Sequence, residues 1–355
     1  MNKKRIGIIF GGKTPEHSVS VLSAASICKN LDASKYDIVL FPLTQNNKLI
    51  FSRAVPHDAD IFQRKNITIE PGDTIVSLEK IKEFCDVCIP VIHGTYGEDG
   101  RLQGFLEMLD IPYTGSTVLG TAVGMDKILQ NYIVEKYGVK KVKYISVQSQ
   151  KFLRDPQMFI EKIQQELPLP VFIKPANAGS SIGISKVTAW EELLPAIEEA
   201  FRFDHRILAE EGLENFREIE LAVLGNQNPD VSESFCEIKP DQDFYSYDAK
   251  YAADSHSEVC IPARIDEVTK QELISQAKTI FTALECRGYA RVDFMLASNG
   301  EIYFNEVNTH PGCTSISAFA KMWASDGVLF PELLDRMIAL AEEEFETKNT
   351  IHYSV

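Results

Sequence analysis

Basic residues are in short supply in this chain. Its 355 residues carry 36 Lys and Arg against 51 Asp and Glu, a formal net charge of −15. That balance argues against a nucleic-acid backbone as the main partner, although a phosphate site needs only a few local cations. Long apolar runs are also missing. The start, Met1-Asn-Lys-Lys-Arg-Ile-Gly-Ile-Ile-Phe10, has an apolar stretch too short for a signal segment or a membrane span. It reads as a first strand, so no membrane partner is expected and the cytoplasm is the expected compartment. The seven cysteines are scattered and odd in number, which suggests reduced thiols. Cys85 and Cys88 form a CxxC, but no second Cys or His pair follows at zinc spacing. They lie in the apolar run Phe84-Cys-Asp-Val-Cys-Ile-Pro-Val-Ile92 and read as core packing rather than a metal site. There is neither an internal repeat nor a low-complexity tract.

What is present is a globular composition, 45% hydrophobic and 25% charged, on a chain long enough for two or three packed units. Spacing predicts strands over 6–10, 38–43 and 87–92, with helices over 18–31 and 78–83 between them. This strand–helix alternation implies an α/β unit with a mostly parallel sheet and helices on both faces. Turn residues cluster at Pro112-Tyr-Thr-Gly-Ser116, which suggests units over 1–115, 116–213 and 214–355. The second opens a helix near Glu191. The last ends in a helix with Leu333, Met337 and Ala341 on one face and Leu334 and Ile338 beside them.

The segment Tyr289-Ala-Arg-Val-Asp-Phe-Met-Leu-Ala-Ser-Asn-Gly-Glu-Ile-Tyr-Phe-Asn-Glu-Val-Asn308 alternates as a half-buried strand pair does. Asn299-Gly300 predicts a two-residue type I′ turn, in which both central residues need φ > 0. That turn sets Asp293 opposite Glu306 and Arg291 opposite Asn308. Opposed carboxylates at such range, about 4.5–5.5 Å between Cβ atoms, repel. Something cationic should therefore sit with them. Two carboxylates and the Asn308 amide oxygen are hard ligands suited to Mg²⁺ held with substrate phosphates. A surface hairpin with solvated acids is the competing reading.

Two stretches bear on phosphate. Gly7-Ile-Ile-Phe-Gly-Gly-Lys-Thr14 satisfies GxxxxGK[ST]. Its intervening residues are the strand itself, so they cannot wrap a phosphate, and the P-loop reading is rejected. Lys174-Pro-Ala-Asn-Ala-Gly-Ser-Ser-Ile-Gly-Ile184 is stronger, because Lys174 ends an apolar strand. Gly179, Ser180, Ser181 and Gly183 let backbone N–H groups approach an anion. Lys127 and Lys250 could add charge. A third cluster, Ile92-His-Gly-Thr-Tyr-Gly-Glu-Asp-Gly-Arg101, follows a predicted parallel strand, where α/β sheets bind ligands.

Together these segments resemble the D-alanine-D-alanine ligase family of the ATP-grasp superfamily. The matching stretches begin at Gly11-Gly-Lys-Thr-Pro-Glu-His-Ser-Val-Ser20, His93-Gly-Thr-Tyr-Gly-Glu-Asp-Gly100 and Lys174-Pro-Ala-Asn-Ala-Gly-Ser-Ser-Ile-Gly183. Phe244-Tyr-Ser-Tyr-Asp-Ala-Lys-Tyr251, Ala290-Arg-Val-Asp293 and Asn305-Glu-Val-Asn-Thr309 complete them in family order. The resemblance implies three α/β domains, with ATP between the central and C-terminal ones. It implies that Asp293, Glu306 and Asn308 hold two Mg²⁺ or Mn²⁺ ions. Lys127, Lys174 and the Ser180-Ser181 loop would meet the phosphates, and Lys250 would face them. Glu210 and Leu213 would meet adenine and Glu218 the ribose, although the hinge is one residue longer than is usual in the family. Glu16 would hold the ammonium of the first D-alanine, in a substrate site shared with His93. Ser180 and Tyr251 would join Glu16 under a lid over 240–257. Arg291 and the Gly312 N–H would hold the oxyanion, and Ser317 and Ala318 would line the second-substrate pocket.

The implied reaction is ATP-dependent ligation of two D-alanines through an acyl phosphate, for peptidoglycan precursor synthesis. The resemblance also suggests a homodimer. His310, Cys313, Ala318 and Ala320 depart from the family pattern. For His310 and Cys313 altered packing is the preferred reading, since the sequence offers neither a partner. Ala318 could enlarge the second-substrate pocket, so D-lactate or D-serine as second substrate stays open. A non-catalytic nucleotide-binding protein is the alternative from another class.

Overall fold

The computed structural model describes residues 3–53, 60–64, 66–239 and 258–351. The first sheet contains β1 (Lys4–Gly11), β2 (Tyr36–Leu43), β3 (Leu49–Arg53), β4 (Thr74–Val76) and β5 (Val87–Val91), in the order β4-β3-β2-β1-β5. β1 pairs with β2 and β5 in parallel, as the alternation predicts. β3 and β4 depart from it and run antiparallel. The polar turn after β2 explains the reversal: Thr44 closes it by accepting from Lys48 N at 2.9 Å, and Asn47 takes a left-handed conformation. Apolar residues leave both faces of β1. Ile6, Ile8 and Phe10 pack toward helix His17–Asn30, and Ile9 packs with Phe41 and Leu106 on the other side. β1 also runs straight through the GxxxxGK[ST] match, with Ile8, Ile9 and Phe10 fully buried, so no phosphate loop forms there. Cys85 and Cys88 are buried in this core, their sulfurs 3.5 Å apart.

The second sheet is antiparallel, β6 (Tyr144–Gln148), β9 (Arg206–Glu211), β7 (Val171–Pro175) and β8 (Ser185–Val187) in that order. Helices Pro156–Glu166 and Leu193–Phe201 bury Phe159, Ile163, Leu193 and Ile197 against it. The third has the order β13 (Glu258–Cys260), β12 (Cys236–Lys239), β10 (Phe216–Leu224), β14 (Tyr289–Ala297) and β15 (Ile302–Asn308), with the short β11 (Asp230–Val231) on β10. On β10 and β14 the period-2 alternation is kept throughout. Ile219, Leu221, Val223, Val292 and Phe294 share one core with Leu273, Ala277, Ile280 and Phe281 of helix Glu267–Ala283. Glu218, Glu220, Arg291 and Asp293 fall on the opposite face.

The hairpin corrects the predicted turn while keeping the predicted pairing. Ala297 N donates to Glu301 O at 2.9 Å, and Gly300 N donates to Ala297 O at 2.9 Å. The loop therefore holds three residues, and only Gly300 (φ 86°) among them is left-handed. This is a type I turn closed by a left-handed glycine rather than a type I′ turn. The strands leave it one residue out of the predicted register, with Leu296 opposite Ile302 and Phe294 opposite Phe304. A bulge between Asp293 and Phe294 restores it, setting Asp293 opposite Glu306 and Arg291 opposite Asn308. The extra residue on β15 is Asn305. It lets Phe304 and Val307 both enter the apolar core while Glu306 turns to the polar face.

The final helix, Phe330–Asn349, buries Leu333, Leu334, Met337, Ile338 and Ala341 as predicted. These join the β1 core, and Lys4 and Tyr36 reach across to Glu342 and Asp335. Among the described residues no helix is long and apolar enough to cross a membrane.

Candidate active site

Three acids stand in a row across the third sheet. Glu220 on β10 is opposite Asp293 on β14, which is opposite Glu306 on β15. The cationic demand of this row is met by the protein itself. Arg291 donates from Nε and Nη2 to both Asp293 oxygens at 2.8 and 2.7 Å, and its Nε lies 3.2 Å from Glu220 Oε1. Burial works against the Arg291 charge, but Asp293 and Glu220 outweigh it and raise its pKa well above the ordinary value. Lys127 Nζ sits 2.9 Å from Glu306 Oε2. Asn308 Oδ1 accepts from His310 N at 3.0 Å.

Among the described residues no group of three or more His, Cys, Asp or Glu makes a ready cation cage. Asp293, Glu306 and Asn308 form a partial set of hard oxygens on adjoining strand positions. Such a set fits a cation that completes its shell with phosphate oxygens and water.

The glycine-serine loop closes against this hairpin. Lys127 Nζ also donates to Ala178 O at 3.0 Å, so one ammonium spans loop and hairpin. Ser180 and Ser181 hold left-handed backbone, φ 50° and 57°, a conformation uncommon outside glycine. Ser180 Oγ donates to Glu16 Oε1, which brings the first unit onto the same loop. Lys174, on β7, pairs with Glu210 Oε2 on the neighbouring β9. The other Glu210 oxygen lies 3.0 Å from Lys141 Nζ. Burial pushes the Glu210 carboxyl up, but the two lysines outweigh it and hold it at about 2. Burial also lowers the Lys141 pKa against the pull of Glu210. Leu213 follows β9, and Glu218 lies two residues before Glu220 on the same strand face.

The first-unit cluster assembles around His93. Thr14 Oγ1 donates to His93 O at 2.7 Å, and His93 Nε2 meets Ser23 Oγ at 3.0 Å. His93 Nδ1 lies 3.2 Å from His310 O and 3.8 Å from Glu98 Oε1. Burial lowers the His93 pKa, but Glu98 and then Glu16 outweigh it, and the net shift is upward. Gly94 (φ 73°) packs against Glu16, where an added Cβ would collide with Oε2.

His310 has the partner that the sequence did not offer: its buried Nδ1 meets Tyr289 OH at 3.1 Å. Burial, with His93 adding to it, holds His310 down at about 3, so the ring is neutral. Cys313 is buried and its thiol is pushed up to about 12 by burial alone. Beyond them Ser317 Oγ accepts from Thr314 N at 3.1 Å and lies beside Gly312. Ala318 opens helix Ala318–Ser325. Lys250, Tyr251 and the whole 240–257 stretch lie outside the described residues.

Two site residues escaped the sequence reading. Glu220 was legible in the alternation Glu218-Ile-Glu-Leu221, which puts both acids on one strand face. Lys141 sits in Lys140-Lys-Val-Lys143 and has no local signal; only the fold buries it beside Glu210.

The three-sheet architecture, with a glycine-serine loop closing over an acidic hairpin, defines the ATP-grasp class. Within that class, a family model described as D-ala D-ala ligase C-terminus matches residues 133–339, and one described as D-ala D-ala ligase N-terminus matches residues 5–116. The D-alanine–D-alanine ligase of Geobacillus thermodenitrificans is 40% identical over 363 residues, covering 99% of each chain. The VanG D-Ala:D-Ser ligase of Enterococcus faecalis is 32% identical with a TM-score of 0.79, covering 96% of this chain and 100% of that one. The Bacillus anthracis D-alanine–D-alanine ligase complexed with ATP is 26% identical with a TM-score of 0.75, over 97% and 99%. The chain belongs to the D-alanine–D-alanine ligase family.

Proposed function

We propose that this protein joins two D-alanine molecules into D-alanyl-D-alanine, converting ATP to ADP and phosphate, for peptidoglycan precursor synthesis in the cytoplasm. One observation carries the reading: Glu16, the 177–183 loop and the hairpin converge, through Ser180 on Glu16 and through Lys127 on both Ala178 and Glu306. The proposed domains are 1–115 for the first D-alanine, 116–213 for the phosphate loop, and 214–355 for the metal hairpin. A homodimer belongs to the same proposal.

A carboxylate is a poor electrophile, so the first D-alanine is activated by taking the γ-phosphoryl group of ATP onto a carboxylate oxygen. ADP leaves and an acyl phosphate remains. Glu16 holds the ammonium of that D-alanine, with His93 beside it. Lys127, Lys174 and the Ser180-Ser181 backbone orient the phosphates. Glu210 and Leu213 face adenine and Glu218 the ribose. Asp293, Glu306 and Asn308 would hold Mg²⁺ or Mn²⁺, which supplies charge neutralisation during phosphoryl transfer. The amine of the second D-alanine, its carboxylate at Ser317 beside Ala318, then attacks the acyl carbon. Arg291 and Gly312 N–H stabilise the oxyanion. The C–O bond to phosphate breaks, and the amine loses a proton.

Ala318 and the likeness to a D-Ala:D-Ser ligase favour a second reading, in which D-serine replaces the second D-alanine. A pocket change on the scale of a methyl group shifts selectivity by only about 1–3 kcal/mol, so both can be used. The test is phosphate release and product identification with ATP and D-alanine alone, then with D-serine or D-lactate added. Turnover on D-alanine alone, yielding the dipeptide, is the expected result. Turnover only with a mixed pair overturns the first reading, and no turnover with any pair supports a non-catalytic nucleotide-binding protein.

A further inference from the structure

We propose that Lys141 is a positioning residue for nucleotide binding, keeping the buried Glu210 carboxylate paired when Lys174 turns from it to the ATP phosphates. The inference rests on the reading above that Lys174 meets phosphate.

Glu210 is buried on β9 with one ammonium on each oxygen, Lys141 on Oε1 and Lys174 on Oε2. The two lysines are not equivalent. Lys141 has a side chain only 1% exposed. Its Nζ also donates to Asn305 O at 3.2 Å and lies over the Phe304 ring, 5.3 Å from the centroid. Lys174 is 15% exposed and stands just before the 177–183 loop, on the side where phosphate would enter. Lys174 is thus the cation that can leave, and Lys141 the one that is fixed.

If Lys174 were the sole partner, its departure would strand a buried carboxylate, and an unpaired buried charge is strongly disfavoured. ATP would then have to compete with Glu210 for that lysine. With Lys141 in place, one ion pair survives the transfer and the competition weakens. Lys141, in the segment before β6, reaches both Glu210 on the second sheet and Asn305, the bulge residue beside Glu306, on the third. It therefore also fixes the carboxylate relative to the hairpin. An apolar residue of the same length would pack in this position but would leave Lys174 locked on Glu210.

The test is calorimetric titration of the full chain with ATP, in the absence of D-alanine, and separately with adenosine. Lys141→Met should weaken ATP by about tenfold or more and adenosine by less than about twofold, because adenosine makes no demand on Lys174. Lys141→Arg should recover most of the ATP affinity. A merely structural role would lower both ligands together. Equal losses, or no loss for either, overturn the proposal. Should Lys141→Met fail to fold, Lys141→Gln keeps a donor for both acceptors, removes only the charge, and is expected to show the same split. A wild-type chain that binds neither ATP nor adenosine would instead overturn the functional reading itself.

Discussion

Replacing Gly94 by alanine tests whether Glu16 stands where the first D-alanine needs it. Gly94 has φ +73°, and an added Cβ would run into Glu16 Oε2. The left-handed backbone alone costs about 1–2 kcal/mol for an L-residue. Moving the Glu16 carboxylate also breaks its hydrogen bond from Ser180, and bonds to charged groups contribute about 1.5–3 kcal/mol. Gly94→Ala should therefore lose more stability in urea than the backbone term explains. The KM for D-alanine should rise by about tenfold or more, equivalent to about 1.4 kcal/mol. Gly300→Ala is the control: its φ is +86°, and no heavy atom lies within 4 Å of the added Cβ. It should show the backbone loss alone, with unchanged kinetics. If Gly94→Ala behaves like Gly300→Ala, with KM unmoved, Glu16 does not hold the substrate ammonium.

Acid should expose the Glu210 pairing. The folded pKa of about 2 lies below the ordinary 4.5, so its stabilisation is full above about 4.5 and is lost as pH falls through about 2. At about 1.4 kcal/mol per pH unit this is on the order of 3 kcal/mol, and the stability difference between wild type and Glu210→Gln in urea should shrink by that order across this window. A difference independent of pH would contradict the ion-pair account. Phe281→Ala, at a fully buried position between helix Glu267–Ala283 and the third sheet, should cost about 3–5 kcal/mol in equilibrium unfolding. Lys13→Ala should leave ATP affinity unchanged in a titration, because β1 fills the apparent phosphate loop with core residues. Loss of binding would restore the P-loop reading.

The hairpin shows how much of the site could be read from sequence. Alternation placed Arg291 and Asp293 on one face, and the opposition of Asp293 and Glu306 is present in the structure. The turn beneath that prediction was wrong by one residue, and the bulge at Asn305 supplied the compensation. Bulges leave little trace in a short alternating segment, although Phe304 and Val307 sharing one core is a mark of this one. The GxxxxGK[ST] match was correctly set aside, because Ile8, Ile9 and Phe10 have the pattern of a strand buried on both faces. The antiparallel strands β3 and β4 were not foreseen, since short strands after a polar turn carry weak periodicity. Lys141 and the Tyr289–His310 pair depend on contacts between residues far apart in the chain. Local spacing does not encode such contacts.

The most direct test of the proposed reaction follows an oxygen atom. D-alanine carrying heavy oxygen in its carboxylate is incubated with ATP and the protein, and the released phosphate is examined by mass spectrometry. Activation through an acyl phosphate predicts that each dipeptide formed is matched by one heavy oxygen delivered to phosphate. Dipeptide formed with unlabelled phosphate would contradict the account.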